Sequence, residues 1–179
     1  MTDHSTRGAE TLRTLRAVRS VRSFRPDPIG DELLAPILEV ARWTGSGMNQ
    51  QPWTFVVVRD QATLHGIAAA SPNTGHVGRA PAAIVIVTEG TTDIAAYDEA
   101  RAAERILVAA TALGLGSALG WVMPPAQAAV AALLGVPDGY RVRTLVSLGL
   151  PTEESARHKS APGTSRKSLE EVVRYERFS

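Results

Sequence analysis

Apolar residues recur along this chain at helical and at strand spacing in turn, and the order of those patterns lays out its elements. After a polar stretch over residues 1–9, expected to be frayed, Leu12, Leu15 and Val18 predict a short helix from about Glu10 to Ser20. Leu33, Leu34, Ile37, Leu38 and Ala41 form one stripe of a second helix, Asp31 to Trp43. Pro36 inside that stripe requires a start near Glu32 or a kink, because proline lacks the N–H that the helix would use. Thr54 to Arg59 reads as a strand and Gln61 to Ala70 as a short helix followed by a loop, Ser71 to Arg79. Ala82 to Thr88 is a continuous apolar run of strand length, which predicts a central strand buried on both faces. Asp98 to Leu113 is the longest predicted helix, rich enough in alanine to pack on several sides. Pro124-Pro125 opens another helix, Ala126 to Leu134, which Gly135 stops. Arg141 to Leu150 is a strand with Val142, Thr144, Val146 and Leu148 on one face, and Pro151 to Ser165 reads as a surface loop. Helix, helix, strand, helix, strand, helix, helix, strand and tail make an α+β single domain over residues 1–179.

Between the second helix and the first strand lies Thr44-Gly45-Ser46-Gly47-Met48-Asn49-Gln50-Gln51-Pro52-Trp53. Glycine allows close backbone approach and positive φ, and Asn and Gln offer paired donors and acceptors for the edge of a flat heterocycle. Pro52 is expected to hold Gln51 extended. The alternative is a polar connection with an aromatic anchor. Earlier in the chain, Arg19-Ser20-Val21-Arg22 places two guanidiniums and a hydroxyl where a helix ends, a set suited to a phosphate or, more blandly, to a solvated face. Gly114-Leu115-Gly116-Ser117-Ala118-Leu119-Gly120 looks like a dinucleotide fingerprint, but it follows a helix where the fingerprint follows a strand. It is therefore taken as a helix stop. His76, flanked by glycines, is expected to be solvated.

Composition narrows the chemistry. Net charge is +1 and aromatics are 5% of 179 residues, so neither an electrostatic nor a stacking case for nucleic acid arises. Absence of cysteine excludes thiol catalysis and thiolate metal sites, and the four histidines have no metal-ligand spacing. No apolar run reaches the roughly 18–20 residues of a membrane span, and no signal-peptide core is present, so the expected location is cytoplasmic. Arg7, Arg13 and Arg16 faintly suggest a transit peptide, but the arginines continue through Arg25, which favours a structural role.

Five stretches together resemble the nitroreductase family of FMN-dependent oxidoreductases: Arg19 to Phe24, Gly45 to Phe55, the alanine-rich helix running into Leu113-Gly114-Leu115-Gly116-Ser117, Leu148-Gly149-Leu150-Pro151, and Arg166 to Val173. They stand in the family's order from about residue 15 onward. The resemblance implies a mostly antiparallel central sheet flanked by helices, in an intertwined homodimer with FMN at the interface. It implies Arg19, Ser20 and Arg22 as phosphate ligands, with Val18 standing where the family often has a further Arg. Gly45, Ser46, Gly47 and Asn49 would reach the flavin from the other subunit, although Gly45 departs from the family's usual proline. Leu119 and Gly120, beside Ala118, would present backbone to the reactive face, and Arg166, with Lys167 next to it, would close on the phosphate. The tail from about residue 165 would wrap the partner. The implied reaction carries hydride from NAD(P)H through FMN to a nitroaromatic, quinone or related acceptor that enters after the nicotinamide leaves, with no catalytic side chain and no metal. Only about ten residues separate Thr88 from the long helix, where longer relatives often insert pocket-covering elements. Two alternatives share the fold: a protein that sequesters FMN without turnover, and a deazaflavin-related reductase.

Overall fold

The computed structural model describes residues 2–90, 92–157 and 166–178, apart from the side chains of residues 2–5 and 157. Its elements are α1 (Thr2–Ala17), α2 (Asp31–Arg42), β1 (Trp53–Val58), α3 (Gln61–Ala70), β2 (Ala82–Glu89), α4 (Asp93–Ala112), β3 (Gly116–Trp121), α5 (Pro124–Leu134), β4 (Tyr140–Gly149), α6 (Glu153–Arg157) and α7 (Leu169–Val172). The strands form one sheet in the order β1-β2-β4-β3, with every pairing antiparallel.

β2 sits inside the sheet and divides the core by its alternation. Ala82, Ile84 and Ile86 face a cluster with Leu34, Ile37, Ala102, Ile106 and Ala110 of α2 and α4. Ala83, Val85 and Val87 face Leu64, Ile67, Val122 and Val130, so α3 and α5 cover the other side. Both faces are covered, which is why the strand shows no polar alternation. Pro36 lies inside α2, in its second turn, while the helix continues past it to Arg42.

Four expectations change. Helix α1 spans the positions expected to be frayed and stops at Ala17, short of Ser20. α4 begins five residues before Asp98, where the Thr92 hydroxyl accepts from the Ala95 N–H. The link from β2 is therefore positions 90–92, shorter than the sequence suggested. Part of the loop after Pro151 is helical as α6; residues 158–165 lie outside the described residues. The stretch read as a helix stop does two things. Gly114, at φ +74°, ends α4, and Gly116 onward is a fourth strand.

Gly116 and Gly149 face each other across β3 and β4, and segment 20–25 crosses over both. A Cβ at Gly116 would stand 2.6 Å from Val21 Cγ1, and one at Gly149 would stand 2.8 Å from Pro81 Cδ and 2.9 Å from Phe24. Val21 N–H donates to the Ser117 carbonyl and Arg25 N–H to that of Leu150. The two glycines thus let the arginine-bearing segment lie flat on the sheet. Gly149→Ala is expected to cost about 1–3 kcal/mol through overpacking, read as a lower urea midpoint with an unchanged slope.

Candidate functional site

β3 is an edge strand, and its outer edge builds the site. The Ser117 carbonyl accepts from Val21 on that edge, and the Trp121 carbonyl accepts from Ser71 Oγ at 3.5 Å. Val122 N–H instead donates inward to Arg143 of β4. Backbone direction alternates along an antiparallel strand, so Leu119 also turns its N–H and C=O outward. No described residue claims the Leu119 N–H. The Leu119 side chain is half-exposed and lines two cavities, one on either side.

The first cavity, about 580 Å³, is lined by Leu15, Arg16, Val18, Arg19, Ser20, Glu104, Leu107, Leu119 and Arg166. Three arginines and a hydroxyl meet one carboxylate there, a set that favours an anion such as a phosphomonoester. Ser20 is set by its bridge to Ser117. The Arg19 guanidinium donates to the carbonyls of Arg16 (2.7 Å) and Val18 (2.8 Å), so part of its donor fork satisfies the end of α1. Arg16, noted in the sequence only among the N-terminal arginines, was not assigned to the site. Its only signal was a place four residues before Ser20, which the short helix end turns into a shared wall.

The second cavity, about 560 Å³, is lined by Arg22, Pro72, Asn73, Gly75, His76, Arg79, Leu119 and Trp121. Arg22 therefore lies on the other side of Leu119 from Arg19 and Ser20, and the structure does not gather the three into one grip. His76 corrects the expectation of a solvated side chain: it is only 7% exposed. Its Nδ1 lies 2.8 Å from Ser147 Oγ on β4, and its buried Nε2 makes no well-formed hydrogen bond among the described residues. Burial holds its pKa below the usual imidazole value, helped by the charges of Arg22 and Arg79 and opposed by the Leu119 carbonyl. Asn73, Arg79 and Trp121 carried no periodic signal and were missed.

Gly120 is near this cavity but turned inward. A Cβ there would meet Leu145 Cδ1 at 2.8 Å, so its lack of a side chain serves packing against β4. Gly45, Ser46, Gly47 and Asn49 line neither cavity. Their loop is docked on α4 instead: Gly47 N–H donates to the buried Asp98 carboxylate at 3.0 Å. Cβ atoms at Gly45 and Gly47 would stand 2.9 Å from Arg101 Nη2 and from Ile94 Cγ2. Close approach here is to α4 of the same chain. Met48, Asn49 and Gln51 have φ of 49°, 56° and 50°, so Gln51 is left-handed and not extended. Its N–H donates to Ser46 Oγ at 2.8 Å, which holds the turn closed. Three non-glycine residues in this region within four positions, around an exposed Met48, is stored strain of the kind found at functional loops.

The model of the nitroreductase family matches residues 15–89 and 68–150. This chain belongs to that family. A protein of Archaeoglobus fulgidus named NADH dehydrogenase/NAD(P)H nitroreductase is 37% identical over 133 residues, covering 70% of this chain and 76% of its own. The NADH dehydrogenase of Thermus thermophilus is 31% identical over 169 residues, covering 73% and 82%. Among solved structures, an FMN-dependent nitroreductase of Clostridium difficile superposes with a TM-score of 0.83 at 27% identity, covering 93% of this chain and 99% of that one. The antiparallel sheet with helices on both faces is the nitroreductase fold, as the resemblance implied.

Proposed function

We propose that this protein is an NAD(P)H-dependent oxidoreductase that holds FMN along the outer edge of β3 and reduces small planar acceptors. The observation that carries the reading is the cleft itself: an arginine- and serine-lined cavity and a second polar cavity meet at the open backbone of Leu119. The residues fit the cofactor. Arg16, Arg19, Ser20 and Arg166 would hold its phosphate, and Leu119 offers a fixed N–H to the polar ring edge. Bound FMN supplies the redox chemistry, taking hydride from NAD(P)H and returning electrons to the acceptor. The chain supplies charge at the phosphate, a backbone donor whose direction β4 fixes, and an indole, Trp121, at the cleft wall. No cluster of three metal-ligating side chains occurs among the described residues, and none of their helices is long and apolar enough to cross a membrane.

The reading includes a homodimer. Loop 45–51 is strained, exposed at its tip and lines neither cavity of its own chain, which suits it to the cleft of a second copy. Leu169, Val172, Tyr175 and Phe178 of the tail are all more than half exposed, and Ile94 and Tyr97 stand out on α4. A partner that covers these residues removes apolar surface from water. A turnover role, rather than storage of FMN, is favoured by the roomy second cavity beside the ring-facing backbone.

The test is a visible spectrum of purified protein followed by NADH and NADPH in the absence of oxygen. A flavin spectrum that bleaches within seconds is the expected result. A bound flavin that neither nicotinamide bleaches would favour sequestration or the deazaflavin alternative. Failure to take up FMN at all would end the proposal.

A further inference from the structure

Turn 45–51 carries left-handed backbone at Met48, Asn49 and Gln51, and such backbone persists only where its surroundings over-determine it. Most of the hydrogen bonds that close the turn are internal. Asn49 N–H donates to the Ser46 carbonyl at 3.1 Å, Gln50 N–H to that of Gly47 at 3.0 Å, and Gln51 N–H to Ser46 Oγ. Among the described residues, one hydrogen bond ties residues 45–51 to another element: Gly47 N–H donates to Asp98 Oδ2 on α4. Asp98 is 4% exposed, and α4 beside it is fixed in the core by Ala102 and Ile106. Its other oxygen accepts from the half-exposed Arg101 guanidinium at 3.4 Å, and a side chain at Gly45 would press on that same guanidinium. Keeping a carboxylate out of water is costly, and Asp98 lines neither cavity. What the charge supplies is a strong, directed acceptor for the turn.

We propose that Asp98 is a positioning residue: it holds turn 45–51 in the pose in which that turn completes the flavin cleft of a second copy. The proposal rests on the flavin oxidoreductase reading and on its homodimer. It makes each cofactor site depend on an α4 carboxylate of the other chain that itself touches no cofactor. The exposed amides of Asn49 and Gln50 are then aimed from a rigid helix, not from a free loop.

The experiment pairs two defective chains. D98A should weaken FMN binding roughly tenfold, the size of a lost charge-assisted hydrogen bond. D98N, whose amide oxygen can still accept from Gly47, should stay within about threefold of the wild type. A chain carrying R19Q and R166Q is defective from the cleft side. Co-expressed with different affinity tags, D98A and this chain form a heterodimer. One of its sites combines the arginines of the D98A chain with the turn of the other chain, and both parts are intact. The remaining site has neither part intact. The expected result is one FMN per heterodimer bound with wild-type affinity, read by quenching of flavin fluorescence, from two parents that each bind weakly. A heterodimer with no wild-type site would place the effect of Asp98 in its own chain and overturn the proposal. So would wild-type affinity in D98A, a D98N as weak as D98A, or an FMN-loaded wild type that is monomeric. A wild type that takes up no FMN ends the flavin reading and this proposal with it. G47P removes the donor of the same bond at the first position of a short helix, where proline is tolerated. It takes the place of D98A if that chain does not fold, and wild-type affinity in G47P overturns the proposal as well.

Discussion

Arg143→Met is expected to lower the stability of the fold by about 3–5 kcal/mol. Arg143 of β4 donates to Glu99 of α4, whose side chain is 1% exposed. The second carboxylate oxygen, Oε1, has no partner among the described residues. Removal of the guanidinium leaves a charge inside the protein with nothing to balance it, a situation costlier than the absence of both partners. A domain of this size holds about 5–15 kcal/mol in total, so the loss is a large share of it. The double variant with Glu99→Met should recover most of the difference, because two well-packed apolar side chains often match a buried ion pair. Urea unfolding of wild type, single and double variants reads this directly. A double variant no more stable than Arg143→Met would refute the account.

The second large effect falls on the cofactor. Arg19→Gln combined with Arg166→Gln is expected to weaken FMN binding roughly 30- to 100-fold, which corresponds to about 2–3 kcal/mol of charge-assisted hydrogen bonding. Both side chains line the cavity that holds Ser20, and Arg166 is brought there from the far end of the chain. Riboflavin, which lacks the phosphate, should bind the variant and the wild type within about threefold of each other. That ratio separates a phosphate grip from general damage, since a misfolded cleft would lose both ligands. Arg19 also donates to the carbonyls at the end of α1, so a small loss of helix stability accompanies the change. Equal loss of FMN and riboflavin affinity, measured by quenching of flavin fluorescence, would remove these arginines from the phosphate.

Strong periodic signals made most of the fold legible in the sequence. The apolar run Ala82 to Thr88 is buried on both faces, as its continuity predicts, and the stripes of α2 and α4 pack against one of them. β3 was illegible for a physical reason. Two of its six residues are glycine, and its strand character comes from pairing with β4 and from Val21 lying on its edge, both nonlocal. The left-handed run near Met48 was hidden for the opposite reason. Of its residues only Asn49 favours positive φ; Met48 and Gln51 do not, and the hydrogen bonds from Gly47 to Asp98 and from Gln51 to Ser46 accompany the turn. In the site, Arg19, Ser20, Leu119 and Arg166 do share a cavity, and the bridge from Ser20 to Ser117 brings the first two beside Leu119 on β3. Arg22 does not join them: two residues further along the same segment, it lines the second cavity instead. His76, Arg79 and Trp121 come from loops and strand ends, where spacing says nothing about direction.

The free edge of β3 also bears on self-association. An uncovered strand edge is ordinarily a template on which another chain can add, and proteins blunt such edges with charge, twist or cover. Here the cover is split in two. Segment 20–25 seals the edge at Ser117, and the Ser71 hydroxyl seals it at Trp121, leaving a window one residue wide. A foreign strand needs a ladder of successive outward groups to gain a foothold, and one rung is not a ladder. A small molecule needs only one. The same two contacts that make the site narrow keep it from becoming a place where copies of the protein zip together.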